Sequence, residues 1–294
     1  MSRSGAPPLS AVGAILAAQV SIHVGAALAK DLIGDLGAET LAAMRTLLAA
    51  VILLLLVRPR LSRLSGRLPV WIMLYGLALG GMNLLIYEAF ARLPLGVAVG
   101  VEICGPLAIA LGGARGVKEL AWPGLAVLGL LALVPWPGRA HALDPVGLLA
   151  ALGAATCWAL YILLGRRAAQ AGSGTAVSLG MVAACLVTFP AALASGSGAL
   201  PALPVWGLAL VVALLSSALP YALEMHAMAA LPARIVGLVA STTPAMAALS
   251  GYLLLGEPLT AWQMLAIALL IAAAAGCTLT ARSPVAKVTD DPLT

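Results

Sequence analysis

Glu102 lies deep in an apolar run that begins at Leu95, and Gly105 and Pro106 follow it. Proline has no N–H, and its ring displaces the carbonyl four residues earlier, which here belongs to Glu102. Glycine leaves backbone open to close approach. A carboxylate beside freed backbone acceptors suits an ammonium group or a proton. The alternative is an ion pair with Arg45, the other charge set well inside an apolar run of this half. A second carboxylate, Glu224, has a similar setting. Ser217, Tyr221 and Glu224 are spaced i, i+4, i+7 on one helix face, and Pro220 kinks that helix. Glu224 suits proton coupling or an inner gate, or else it snorkels to the surface beside Arg234. Asn83 and Tyr87, four apart after Gly80-Gly81, supply hydrogen bonds to a polar substrate or to a neighbouring helix.

Other polar residues have plainer readings. Glu88 and Arg92 form an i,i+4 pair near a helix end. His23 and His226 read as packing residues, Gly76, Gly80 and Gly81 as close-packing surface. Cys104, Cys157, Cys185 and Cys277 lie in apolar runs and read as small buried hydrophobes. No phosphate-cradling glycine loop, metal-type histidine cluster or GxSxG turn is present, so no cofactor and no metal are expected.

The elements that must position these residues are membrane spans. The chain is 62% hydrophobic and 9% charged, with a mean hydropathy of +1.07, against about 25% charged in soluble domains. A spanning helix needs about 20 apolar residues. Ten such spans are expected: Leu9–Ala29, Ala38–Val57, Leu68–Ala89, Leu95–Gly113, Leu120–Trp136, Val146–Gly165, Ala176–Ala194, Pro204–Leu223, Ile235–Leu255 and Ala261–Thr280. The first is expected to be retained rather than cleaved as a signal segment. The ~10-residue alternating segments of a β-barrel are missing. With the N-terminus inside, twelve Lys/Arg fall in inner segments, while Lys30, Arg92 and Arg139 fall outside. That asymmetry predicts cytoplasmic termini and two halves of opposite orientation.

The halves echo each other. Leu93-Pro94 is followed twelve residues later by Pro106, and Leu231-Pro232 twelve residues later by Pro244; the copies lie 138 residues apart. The expected architecture is an all-α integral membrane protein of ten transmembrane helices in two inverted five-helix repeats. Residues 1–141 and 142–281 are the repeats, and residues 282–294 form a cytoplasmic tail. A duplicated, proline-broken unit holding ionisable groups is the pattern of a transporter with its site between the halves.

At these residues the chain resembles the EamA-type branch of the drug/metabolite transporter superfamily, most closely the bacterial inner-membrane threonine/homoserine exporters. The resemblance rests on Ser21-Ile22, Gly25-Ala26, Leu28-Ala29-Lys30, Arg45, Gly80-Gly81-Met82-Asn83, Pro94-Leu95-Gly96, Glu102 with Gly105-Pro106-Leu107-Ala108, Ala218-Leu219-Pro220-Tyr221, Leu223-Glu224-Met225 and Leu255-Gly256-Glu257. It implies ten helices, export by alternating access and coupling to protons. The chain departs from the family pattern at Thr243, where a glutamate is expected before Pro244, at His23, where glutamine is common, and at Glu88.

These readings converge on a proton-coupled secondary exporter of threonine, homoserine or related amino acids. Glu102 would bind the substrate ammonium or a proton. Glu224 would serve the inner gate or the proton. Arg45 would neutralise Glu102 or meet a substrate carboxylate. Asn83, Tyr87 and Tyr221 would give hydrogen bonds, and Gly105, Pro106, Pro220 and Pro244 would mark the breaks that let the halves rock. Lipid is the other expected partner, and the bacterial inner membrane the expected location. The alternatives are export of a purine, an amine or a hydrophobic compound, and, from other classes, an intramembrane enzyme or a scaffold.

Overall fold

The computed structural model describes residues 9–59, 61, 64–111, 121–133, 143–195, 203–220, 223 and 242–280. Among these residues the chain is all helical. The helices are α1 (Leu9–Leu36), α2 (Ala38–Val57), α3 (Leu68–Arg92), α4 (Leu95–Glu102), α5 (Cys104–Leu111), α6 (Ala121–Leu133), α7 (Pro145–Ala168), α8 (Ser173–Ala194), α9 (Leu203–Ala213), α10 (Thr243–Leu255) and α11 (Ala261–Thr280). Among the described residues α1, α2, α3, α7 and α8 are long and apolar enough to cross a membrane; α10, α11 and stretches of α4/α5 and α9 are shorter apolar helices. The outside is greasy. Leu55, Leu149, Leu193 and Leu253 are all exposed, a surface that water penalises and hydrocarbon accepts. The midpoint loop, the Leu231-Pro232 end of the second copy and the C-terminal tail lie outside the described residues.

Three helices, α1, α3 and α7, run past their expected ends. Helix α1 continues through Lys30, Asp31 and Asp35 until Gly37, whose φ of 79° stops it. Its 28 residues span about 42 Å, longer than the hydrocarbon core of about 30 Å, which is length enough for its charged end to lie beyond an apolar slab. Helix α7 likewise carries Arg166 and Arg167 before a short 3₁₀ turn. Arg167 stacks on the Trp71 ring at 4.4 Å.

Prolines shape the interior. The fourth span is two half-helices meeting at Ile103. The break falls between Glu102 and Pro106 because the proline can neither donate to the Glu102 carbonyl nor make room for it. Pro106 thus sits in the first turn of α5 and Pro244 in the first turn of α10, where a missing N–H costs nothing. Pro220 acts differently. Instead of a simple kink, the helix takes a π turn over Leu214–Ala218, and Leu219 N–H bonds Leu214 O.

Helix α3 is central and packs on α2, α7 and α8. A Cβ at Gly76 would run into the Gly180 carbonyl and Ala183, and one at Gly80 would lie 2.6 Å from the Ala184 carbonyl, so α3 and α8 touch backbone to backbone. Thr46 and Thr188 share a hydrogen bond of 2.8 Å between α2 and α8.

Candidate functional site

Arg45 organises the interior. Its guanidinium leaves α2 and donates from Nη1 to Asn83 Oδ1 on α3. Nε donates to Ser216 Oγ at 2.9 Å, and Nη2 to the Ser216 carbonyl at 3.1 Å. A longer contact of 3.5 Å runs from Nη2 to Ser217 Oγ. The Tyr87 ring lies beside the cation, 5.5 Å from centroid to Cζ. Proline chemistry explains the second-half partners. Pro220 lacks the N–H that would bond the Ser216 carbonyl, and Arg45 takes that acceptor instead. The π turn frees the Leu215 carbonyl, which accepts from Ser21 Oγ of α1 at 2.7 Å. Gly25 allows the close approach, because a Cβ there would already lie 3.1 Å from Leu215 and Ser216.

All of these acceptors are neutral. A guanidinium in an apolar bundle costs roughly 2.5–3.5 kcal/mol by insertion scales, and hydrogen bonds to a charged group return about 1.5–3 kcal/mol each. The cation is therefore well solvated by protein yet makes no ion pair with a carboxylate among the described residues. Glu102, on the last turn of α4, is 9% exposed. No contact within 4 Å joins it to Arg45. The direct pair considered from sequence is thus not formed.

Other interior groups have spare capacity. The Tyr87 hydroxyl and both ring nitrogens of His23 are buried with no hydrogen-bond partner among the described residues. Thr243 Oγ1 donates to Gln19 Oε1 at 3.0 Å, tying α10 to α1. Gly105 has its open side filled by the Ala155 backbone of α7; its smallness serves helix packing, which corrects the reading that it admits a ligand to the backbone.

At one end of the bundle, Lys30 at the charged end of α1 pairs with Glu257 at 2.7 Å and also donates to the Leu93 carbonyl. Glu257 Oε2 accepts the Leu95 N–H at 2.8 Å. Nearby, Arg92 meets Glu88 at 3.6 Å, as its spacing predicts, and Asp144 at 3.4 Å. Asp144 caps α7 by accepting the Val146 N–H at 2.8 Å. That hydrogen bond, aided by Arg92, holds its carboxyl below the ordinary aspartate range.

The structure therefore gathers Arg45, Asn83 and Tyr87 at one place, with Pro220 one turn from the shared carbonyl, while Glu102 is buried on α4 without pairing to Arg45. Tyr221 and Glu224 lie outside the described residues. Sequence reasoning passed over Ser216, Gln19 and the Lys30–Glu257 pair. The signal for Ser216 was present: the four-residue proline rule applied to Glu102 and Pro106 points equally from Pro220 to Ser216.

An apolar helical bundle with broken helices, a half-buried cation and a buried carboxylate is the build of a membrane transporter. The model of the EamA-like transporter family matches residues 145–279. The threonine/homoserine exporter RhtA of Escherichia coli (strain K12) is 42% identical over 268 residues, covering 91% of this chain and 91% of that protein. RhtA of Salmonella typhimurium (strain LT2) matches with the same identity and coverage. A solved crystal structure at 21% identity shares the fold, with a TM-score of 0.63 over 93% of this chain and 98% of that one. The chain belongs to the EamA-like transporter family, a family of transporters rather than enzymes.

Proposed function

We propose that the protein is a secondary exporter of threonine, homoserine or closely related small amino acids, working by alternating access in the bacterial inner membrane and driven by protons. The single observation that carries this reading is that the apolar interior holds both a half-buried guanidinium, Arg45, solvated by neutral acceptors, and a buried carboxylate, Glu102, which do not pair with each other. A zwitterion fits such a pair. Its carboxylate takes the fork of Arg45, and its ammonium takes Glu102. The Tyr87 hydroxyl, without a partner among the described residues, offers a hydrogen bond to a hydroxylated side chain, and Asn83, bonded to Arg45 and to the Leu79 carbonyl, joins it when substrate takes the guanidinium. Tyr221 adds a further bond, and Glu224 carries the proton or the inner gate.

In this reading residues 1–141 and 142–281 are inverted five-helix repeats, ten spans in all, and residues 282–294 are a cytoplasmic tail, with both termini inside. Two independent features support that topology. The twelve-to-three Lys/Arg asymmetry places the turns after α1 and α3, before α7 and after α10 on the outer side. Lys30, Arg92, Leu93, Leu95, Asp144 and Glu257, all within two helical turns of those chain reversals, meet at one end of the bundle. The relatives' name, threonine/homoserine exporter, supports the cargo.

Growth of cells in inhibitory threonine or homoserine tests the reading. Expression of the chain restores growth, and Glu102→Gln abolishes the protection. No protection by the unaltered chain removes the cargo; full protection by Glu102→Gln removes the site.

A further inference from the structure

From the geometry we infer that Lys30 and Glu257 are functional residues of the transport reaction: their ion pair is the outer gate, closed here, and it breaks to release substrate. The inference rests on the outward-facing position assigned above to the turns after α1, α3 and α10.

The pair is built rather than incidental. Helix α10 ends in a left-handed glycine, Gly256, with φ of 63°, and the Glu257 N–H returns to the Gly251 carbonyl at 3.1 Å. This closure folds the Glu257 side chain back over its own helix. Gly251 makes room for it, since a Cβ there would lie 2.7 Å from Glu257 Oε2. One carboxylate oxygen then holds Lys30 and the other the Leu95 N–H. Lys30 also holds the Leu93 carbonyl. Two charged side chains thus join three segments: the end of α1, the Leu93-Pro94-Leu95 junction and the α10–α11 turn.

Two features mark this clamp as a gate. First, it crosses between the halves, α1 and α4 on one side and α10 on the other, and alternating access requires that such contacts break. Second, it grips the N-terminus of α4, the half-helix that carries Glu102 eight residues beyond Pro94. Releasing Glu257 frees the outer end of the helix that holds the substrate's ammonium partner. Lys30 and Glu257 keep 18% and 17% of their side-chain surface exposed, and at an outer membrane face that partial exposure lowers the cost of parting the pair.

The test reads access rather than cargo. A cysteine is placed at Ser217, beside Arg45, in a chain whose Cys104, Cys157, Cys185 and Cys277 are replaced by alanine. A membrane-impermeant thiol reagent is added to intact cells. Lys30→Gln and Glu257→Gln each raise the labelling rate about tenfold, a bias of about 1.4 kcal/mol toward the outward-open state. The exchange Lys30→Glu with Glu257→Lys brings the rate back toward that of the parent. Equal labelling in the parent and both single variants overturns the gate. So does loss of folded protein in both singles with recovery in the exchange, which marks a folding staple. Raised labelling in the singles together with no threonine or homoserine export by the unaltered chain sinks the cargo reading and leaves the gate standing.

Discussion

Arg45 of α2 donates to the Ser216 carbonyl at 3.1 Å, the acceptor that Pro220 leaves without its helical N–H. A proline in one half of the chain thus creates a backbone acceptor for a cation in the other half. The π turn that accompanies it frees the neighbouring Leu215 carbonyl for Ser21. Two irregular backbone positions are both satisfied by side chains from the first half, as a lipid-embedded helix requires.

Pro220→Ala restores an N–H that competes with Arg45 for Ser216. Export of threonine or homoserine falls about tenfold or more, the loss of roughly one hydrogen bond to a charged group, while folded yield holds or rises. Quantitative export with a parallel fluorescence-detected size-exclusion profile checks this. Unchanged export would detach the π turn from function.

Arg45→Lys keeps the charge but loses the fork that reaches Asn83 and Ser216 together. Export falls by about 10- to 100-fold, the loss of one charge-assisted hydrogen bond at about 1.5–3 kcal/mol. Initial rates in proteoliposomes measure it, and a rate near that of the parent would show that point charge alone suffices.

Gly80→Val drives a branched side chain into the Ala184 backbone of α8. Overpacking of this kind costs about 1–3 kcal/mol or more. The expected outcome is a lowered thermal midpoint in detergent with the binding residues untouched. Gly124→Val, where the Cβ meets nothing within 4 Å, is the matched control.

Asp144 has its pKa lowered, first by the Val146 N–H and then by Arg92. A carboxyl depressed on folding contributes stability that is present above its unfolded value of about 3.9 and is lost as pH falls through its folded value. Asp144→Ala therefore lowers the thermal midpoint at pH 7, and the gap to the parent closes below about pH 4. A gap that stays constant into strong acid would remove the carboxylate from the α7 cap.

The apolar helices were legible because length and hydropathy set them: the expected starts of α2, α3, α4 and α11 and the expected ends of α2, α8, α10 and α11 match the helices found. The end of α1 was not legible. Lys30, Asp31 and Asp35 read as a loop by hydropathy, yet charge does not stop a helix that has left the apolar slab; Gly37 does. Arg45, Asn83, Tyr87 and Glu102 were visible because each is costly in hydrocarbon. Ser216 was hidden because a serine is inexpensive in an apolar helix, and only the carbonyl freed by Pro220, together with its hydroxyl, makes it a partner of Arg45. Lys30 and Glu257 were hidden because charges near a membrane surface are common, and only the fold brings positions 30 and 257 together.

The central claim is that Arg45 and Glu102 hold the two ends of a zwitterion, and competition against labelled threonine uptake into inverted vesicles tests it most directly. Unlabelled threonine is compared with 1-amino-2-propanol, which keeps the ammonium and lacks the carboxylate, and with 3-hydroxybutyrate, which keeps the carboxylate and lacks the ammonium. Threonine alone competes well, and each singly charged compound is weaker by about 10- to 100-fold, the loss of one charge-assisted contact. Equal competition by the amine would contradict a role for Arg45 in binding the carboxylate, and equal competition by the acid would contradict the assignment of Glu102.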